Sequence, residues 1–158
     1  MKKNFPQHGR FALIGHRCVL TAAVVLLSCL AVMKAQTVEN GVLVAWSGAS
    51  GEIAIPQGVT KIANKVFQSN TKITSVKFNE ELEEIGDQAF MSCSKITTLS
   101  FPNSLKKIGL KSFYKCSNLA SINFGTGLQS MGNTAFSYCG KLAQVELPGS
   151  LATIADGA

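Results

Sequence analysis

Histidine and arginine stop early in this chain: His8, Arg10, His16 and Arg17 are the last of either type. Without an imidazole, a Ser–His or Cys–His nucleophile pair cannot be assembled, and a zinc site must find its four ligands elsewhere. Without arginine, bidentate reading of phosphate is lost. The formal charge of +6 therefore does not describe a nucleic-acid binder. Lys2, Lys3, Arg10, Arg17 and Lys34 supply five of the fifteen basic residues, and from residue 36 onward ten lysines meet nine acidic residues. Aromatic anchors for a partner are scarce as well, with one Trp and two Tyr. Nor does any apolar run reach the ~20 residues that a membrane-spanning helix needs. The longest covers residues 18–33.

That run has a basic stretch before it and Lys34-Ala35-Gln36 after it, the layout of a secretory signal with a small residue at the cut. The expectation is a signal peptide over 1–35, cleaved after Ala35. Leu26-Leu27-Ser28-Cys29 also resembles a lipobox, which would make Cys29 a lipid anchor, although the apolar run continues past it. An uncleaved anchor is the third option. All three place the remainder outside the cytoplasm, secreted or on a bacterial cell surface.

What the chain does have is a period. Phe67, Phe90, Phe113 and Phe136 recur every 23 residues, and five further apolar columns keep the same interval. Val59, Leu82, Leu105, Leu128 and Leu151 make one; Ile62, Ile85, Ile108, Met131 and Ile154 another. Such a period signals a solenoid in which each repeat is one coil stacked on the last. Within a coil, Leu99-Ser100-Phe101 alternates apolar and polar as a half-buried strand does. A turn former follows each strand, at Pro56, Asn79, Pro102, Gly125 and Pro148. The spacing of three between Leu105 and Ile108 predicts a turn of helix or 3₁₀ on the opposite wall. Gly86, Gly109 and Gly132 come next, where a positive φ is expected. The fold class is thus an α/β solenoid, with short parallel strands on one face and short helical or 3₁₀ turns on the other. Its expected organisation is an N-terminal cap over 36–52 and repeats over 53–158, truncated mid-repeat at the C-terminus.

The unit SFPNSLKKIGLKSFYKCSNLAS, and less strictly KFNEELEEIGDQAFMSCSKITT, resembles the BspA-like leucine-rich repeats of bacterial surface proteins. The lead-in ENGVLVAWSGASGEIAIPQGVTKI is similar to that family's usual first repeat. Departures are mild: Asn70 stands in the cysteine column, Met131 in the isoleucine column, and Ala63 and Ala155 where glycine is usual. The resemblance implies an exported adhesion or recognition protein that meets a protein or glycan on host matrix or other cells. A membrane would be met only through Cys29 or a downstream anchor.

Little else carries chemistry. Cys93, Cys116 and Cys139 form one column, within disulfide reach of one another if coils are roughly 5 Å apart. Three buried thiols packed as small apolar groups is the plainer reading; one bridge and a metal site are the alternatives. Glu80, Glu81, Glu83, Glu84 and Asp87 read as a solvated wall facing Lys106, Lys107 and Lys111 on the next coil. No catalytic residue, metal ligand or cofactor site is identified, and the chain is not expected to be an enzyme. The candidate binding face is the outward strand row Ser75, Lys77, Thr98, Ser100, Ser121, Asn123, Gln144 and Glu146, expected as one continuous sheet surface. Tyr114, Tyr138 and Trp46 are the only candidates for exposed aromatics. Against binding by the repeats themselves stands a second expectation, a targeting or spacer module of a larger secreted enzyme.

Overall fold

The computed structural model describes residues 35–158, so Cys29 and all of the expected leader except Ala35 lie outside the described residues. Two strands begin it: β1 (Gln36–Glu39) and β2 (Val42–Trp46) form an antiparallel hairpin. Its turn is Asn40-Gly41, both at positive φ (49° and 78°). A two-residue turn that follows the twist of its strands requires that conformation, and Asn-Gly tolerates it. After β3 (Gly51–Ala54), each coil contributes a two-residue strand: β4 (Lys61–Ile62), β6 (Glu84–Ile85), β8 (Lys107–Ile108), β10 (Ser130–Met131) and β11 (Thr153–Ile154). With the hairpin these make a seven-stranded sheet, parallel from β2 onward. Register advances by 23 residues per coil, as in Glu84 opposite Lys107 and Ile85 opposite Ile108.

This overturns the expected helical wall. The segment ending in the Ile column is strand, and no helix occurs among the described residues. The reason lies in where the N–H groups go. Glu83 N–H and Glu84 N–H donate to Thr60 O, and Gly86 N–H to Ile62 O at 2.8 Å, all on the preceding coil. A helix would spend those donors internally and leave nothing to bind the stack. The AF-x-x-C segment solves the same problem differently. Cys93 N–H bonds back to Phe90 O in a local turn, while Phe90 and Ser92 N–H donate forward to Ser112 and Tyr114 on the next coil. Alternating local and forward donors needs left-handed residues, and two columns supply them: Lys65, Gln88, Lys111 and Thr134, then Ser69, Ser92, Lys115 and Tyr138.

The glycine expectation also fails. None of Gly86, Gly109 or Gly132 has a positive φ. They are small because coils touch there: a Cβ on Gly109 would stand 2.8 Å from both Asp87 N and Gly86 C of the coil before.

The core is a column of rings. Phe67, Phe90, Phe113 and Phe136 stack with centroids 4.8, 5.1 and 5.1 Å apart, and their interplanar angles close from 19° to 5° to 1°. Trp46 leans on the first at 5.6 Å. Phe78, Phe101 and Phe124 form a second column whose members meet Phe90, Phe113 and Phe136 edge-on. Each buried ring contributes about 1.5–3 kcal/mol, with roughly 0.5–1.5 kcal/mol more for a well-placed aromatic pair. Trp46 is therefore core, not an exposed aromatic as expected. In the last coil Val145, Leu147 and Ile154 are exposed although their columns are buried or half-buried elsewhere, because a neighbouring coil covers them on one side only.

Gly109→Ala should destabilise the fold by about 1–3 kcal/mol through this overpacking. Gly140, whose added Cβ meets nothing within 4 Å, serves as the control. Denaturant titration should separate Gly109→Ala from Gly140→Ala; equal midpoints would mean the coils can part at no cost.

Candidate binding face

The outward strand row sits on β5 (Ile73–Lys77), β7 (Thr98–Ser100) and β9 (Ser121–Asn123). Alternation does what the sequence requires. Val76, Leu99 and Ile122 turn toward the core, while Lys77, Thr98, Ser100, Ser121 and Asn123 are exposed and Ser75 is half-buried. Gln144 and Glu146 are exposed as well, but their segment is not a strand.

The face is not one continuous sheet. β3 pairs with β5, and β7 with β9, but β5 and β7 do not pair. At both interruptions the surface opens into a groove. The first, of 320 Å³, is lined by Ser75, Lys77, Thr98 and Ser100 together with Phe78 and Glu80. The second, of 680 Å³, is lined by Ser121, Asn123, Gln144 and Glu146 with Gly125 and Pro148 among its other walls. The eight expected residues thus come together as two sets of four. The grooves were illegible in the sequence, since the outward residues keep the same 23-residue interval across a gap as across a paired step.

The opposite sheet carries the charges. Lys106 Nζ lies 2.7 Å from Glu83, and Lys61 and Lys107 lie 3.2 and 3.3 Å from the two oxygens of Glu84. Partial burial opposes ionisation of Glu84, but the two flanking ammonium groups outweigh it and hold its carboxyl below the ordinary range. Exposed pairs of this kind contribute about 0–1 kcal/mol. Lys111 takes no part; it faces the Tyr114 ring instead. Among the described residues no group of three or more His, Cys, Asp or Glu could hold a metal ion.

The cysteine column is structural. All three thiols are free and buried. Each S–H points at a carbonyl one coil back: Cys93 to Phe67 O at 3.1 Å, Cys116 to Phe90 O and Cys139 to Phe113 O at 3.3 Å. Asn70 explains its place in the same column, because its side-chain N–H₂ donates to Ala49 O at 2.9 Å. What the position needs is a small donor, which either residue supplies. Burial pushes Cys93 up to about 12 and Cys139 up to about 11, and raises Cys116 further, with the neighbouring thiols adding to it.

The comparisons with known proteins agree with this architecture. The BspA type leucine rich repeat region matches residues 46–158 in six copies. A leucine-rich-repeat protein of T. pallidum superposes with a TM-score of 0.73 at 28% identity, over 83% of this chain and 65% of that one. A leucine-rich-repeat protein of Bacteroides ovatus gives 0.58 at 27%, over 69% of this chain and 36% of the other. A leucine-rich cell surface protein of Faecalibacterium prausnitzii gives 0.55 at 27%, over 72% and 40%. The chain spans less than two thirds of the length of each of these. No curated protein matches it.

The thiols yield a test. An unfolded cysteine ionises near pH 8.5, whereas the folded values are higher, so the unfolded state alone loses protons above that point. Stability from these groups is complete below about pH 8.5 and falls as pH rises toward 11 and 12. The denaturation midpoint should drop over this window, and the triple variant Cys93→Ala, Cys116→Ala, Cys139→Ala should show a shallower drop. Rapid alkylation of the native thiols at neutral pH would refute their burial.

Proposed function

The chain belongs to the BspA-type leucine-rich-repeat family, and on that premise we propose that it is an exported binding protein which recognises a protein partner at the two grooves and catalyses no reaction. The observation that carries the reading is the gathering of the eight outward side chains into two polar grooves on one face of a rigid stack. Rigid display lowers the ordering entropy that binding must overcome, and two sites on one array reinforce each other through effective concentration. Small hydroxyls and amides bind modestly one at a time, so affinity comes from engaging both grooves together. Charge is arranged to orient a partner, with Lys77 and Glu80 at the first groove and Glu146 at the second.

The place of action is the cell surface or the medium. The basic leader and apolar run ahead of Ala35 support export, with release by cleavage, retention through Cys29 or an uncleaved anchor as its routes. One structural relative is itself a cell surface protein. No helix among the described residues is long and apolar enough to cross a membrane. Adhesion to host matrix or to other cells is the role this arrangement fits.

Binding of the chain to an array of matrix proteins, compared with Lys77→Ala, Asn123→Ala and Glu146→Ala singly and together, tests the face. Each single change should weaken the captured partner, and the triple variant should lose on the order of tenfold or more. Undiminished affinity in all four variants would rule this face out.

A further inference from the structure

A second surface lies away from the grooves, on the turns that carry the cysteine column. There Tyr114 and Tyr138 of successive coils meet at 5.1 Å with their planes 67° apart. Lys111 Nζ stands 5.6 Å from the Tyr114 ring centre, and Lys115 Nζ stands 5.5 Å from Tyr114 and 5.9 Å from Tyr138. Neither lysine takes part in an ion pair among the described residues, where the three pairs use Lys61, Lys106 and Lys107. We propose that Tyr114, Tyr138, Lys111 and Lys115 form a recognition patch for an acidic polysaccharide, one whose sugar rings carry carboxylate or sulfate groups.

Three observations favour this partner. The first concerns which side chains fill a strained position. Lys111, Lys115 and Tyr138 hold φ values of 51°, 60° and 63°, a region that is costly for any residue with a Cβ. The coil geometry imposes that conformation on two columns; in the one that Lys115 and Tyr138 share the earlier coils carry Ser69 and Ser92, whereas Lys111 follows Lys65 and Gln88 in the other. Placing lysine and tyrosine there adds bulk without improving the core, since Tyr138 is 70% exposed.

The second is charge. Two ammonium groups held against ring faces keep their positive charge unneutralised, so a negative group brought to the ring edges meets both. The third is the use of the backbone at the lysines. Lys111, Lys115 and Thr134 N–H donate to Asn133, Ser137 and Asp156 carbonyls, and Tyr114 N–H to Lys111 O. At Lys111, Tyr114 and Lys115 an extended acidic peptide would find no N–H left to pair with. A pyranose needs none: its apolar C–H face covers the exposed Tyr138 ring, and its acidic substituent reaches the neighbouring ammonium groups.

The test uses the full chain with four probes: heparin, polygalacturonate, neutral dextran and poly-glutamate. Tyr138→Ser and Lys115→Ser restore the residues that Ser69 and Ser92 already hold in this column, so the fold should persist, checked by an unchanged denaturation midpoint. Heparin or polygalacturonate should bind and dextran should not, and whichever binds tighter identifies sulfate or carboxylate as the recognised group. Each substitution should weaken that binding on the order of fivefold, and the pair more. Equal binding of poly-glutamate, equal affinity of the variants, or no binding of either acidic polysaccharide at low salt would overturn the proposal. Variants at the grooves should leave it unchanged, which separates its failure from failure of the groove reading.

Discussion

Hydrogen bonding between coils at a fixed interval is the constraint on which everything else depends. Each coil sends N–H groups to its neighbour from the two-residue strands and from the AF-x-x-C turns, as Gly109 does to Ile85 and Phe113 to Ala135. A buried amide without a partner costs about 1–3 kcal/mol, so each coil must keep the same rise and register. That common rise brings the phenylalanine rings to stacking distance. It also forces glycine where backbones touch and aligns each thiol with a carbonyl one coil below.

The repeat, its apolar columns and the outward row were legible in the sequence because they are periodic. Every coil states the same residues again, and burial follows the columns: Leu82, Ile85, Phe90, Ile96 and Leu99 are all core. The wall opposite was not legible. A two-residue strand such as Lys107–Ile108 is too short to show alternation, and Leu105 to Ile108 matches a helical turn as well as a strand entered from a turn. Only the partner 23 residues away distinguishes them. Gly109 misled for a related reason. Its smallness answers to Gly86 and Asp87 on another coil, not to its own dihedral angle. Local pattern reveals what a residue prefers; close approach between coils is a property of the stack.

The surfaces share this logic. Because the backbone is satisfied between coils, side chains at the turns and along the outer strands are free to vary without disturbing the core. Ser69, Ser92, Lys115 and Tyr138 occupy one backbone conformation with three kinds of side chain. In the turn column of Pro56, Pro102, Gly125 and Pro148, Asn79 holds its place by hydrogen bonding: its buried side chain donates to Val59 O and accepts from Glu81 N–H. Identity of the backbone and diversity of the display are two results of one arrangement, and they let a repeat array carry distinct surfaces on its separate edges.

The unequal pairing on the two sides of the stack has a mechanical meaning. One side is tied by an unbroken run of seven strands, whereas the other is tied only within the β3–β5 and β7–β9 couples. A bending load on such a body meets different stiffness in opposite directions. Flexing that stretches the seven-stranded side strains hydrogen bonds at every step, while flexing that opens the other side concentrates at the two untied steps, between β5 and β7 and after β9. Under tension the coils are therefore compliant in one direction and stiff in the other, and the compliant steps are those that form the two grooves.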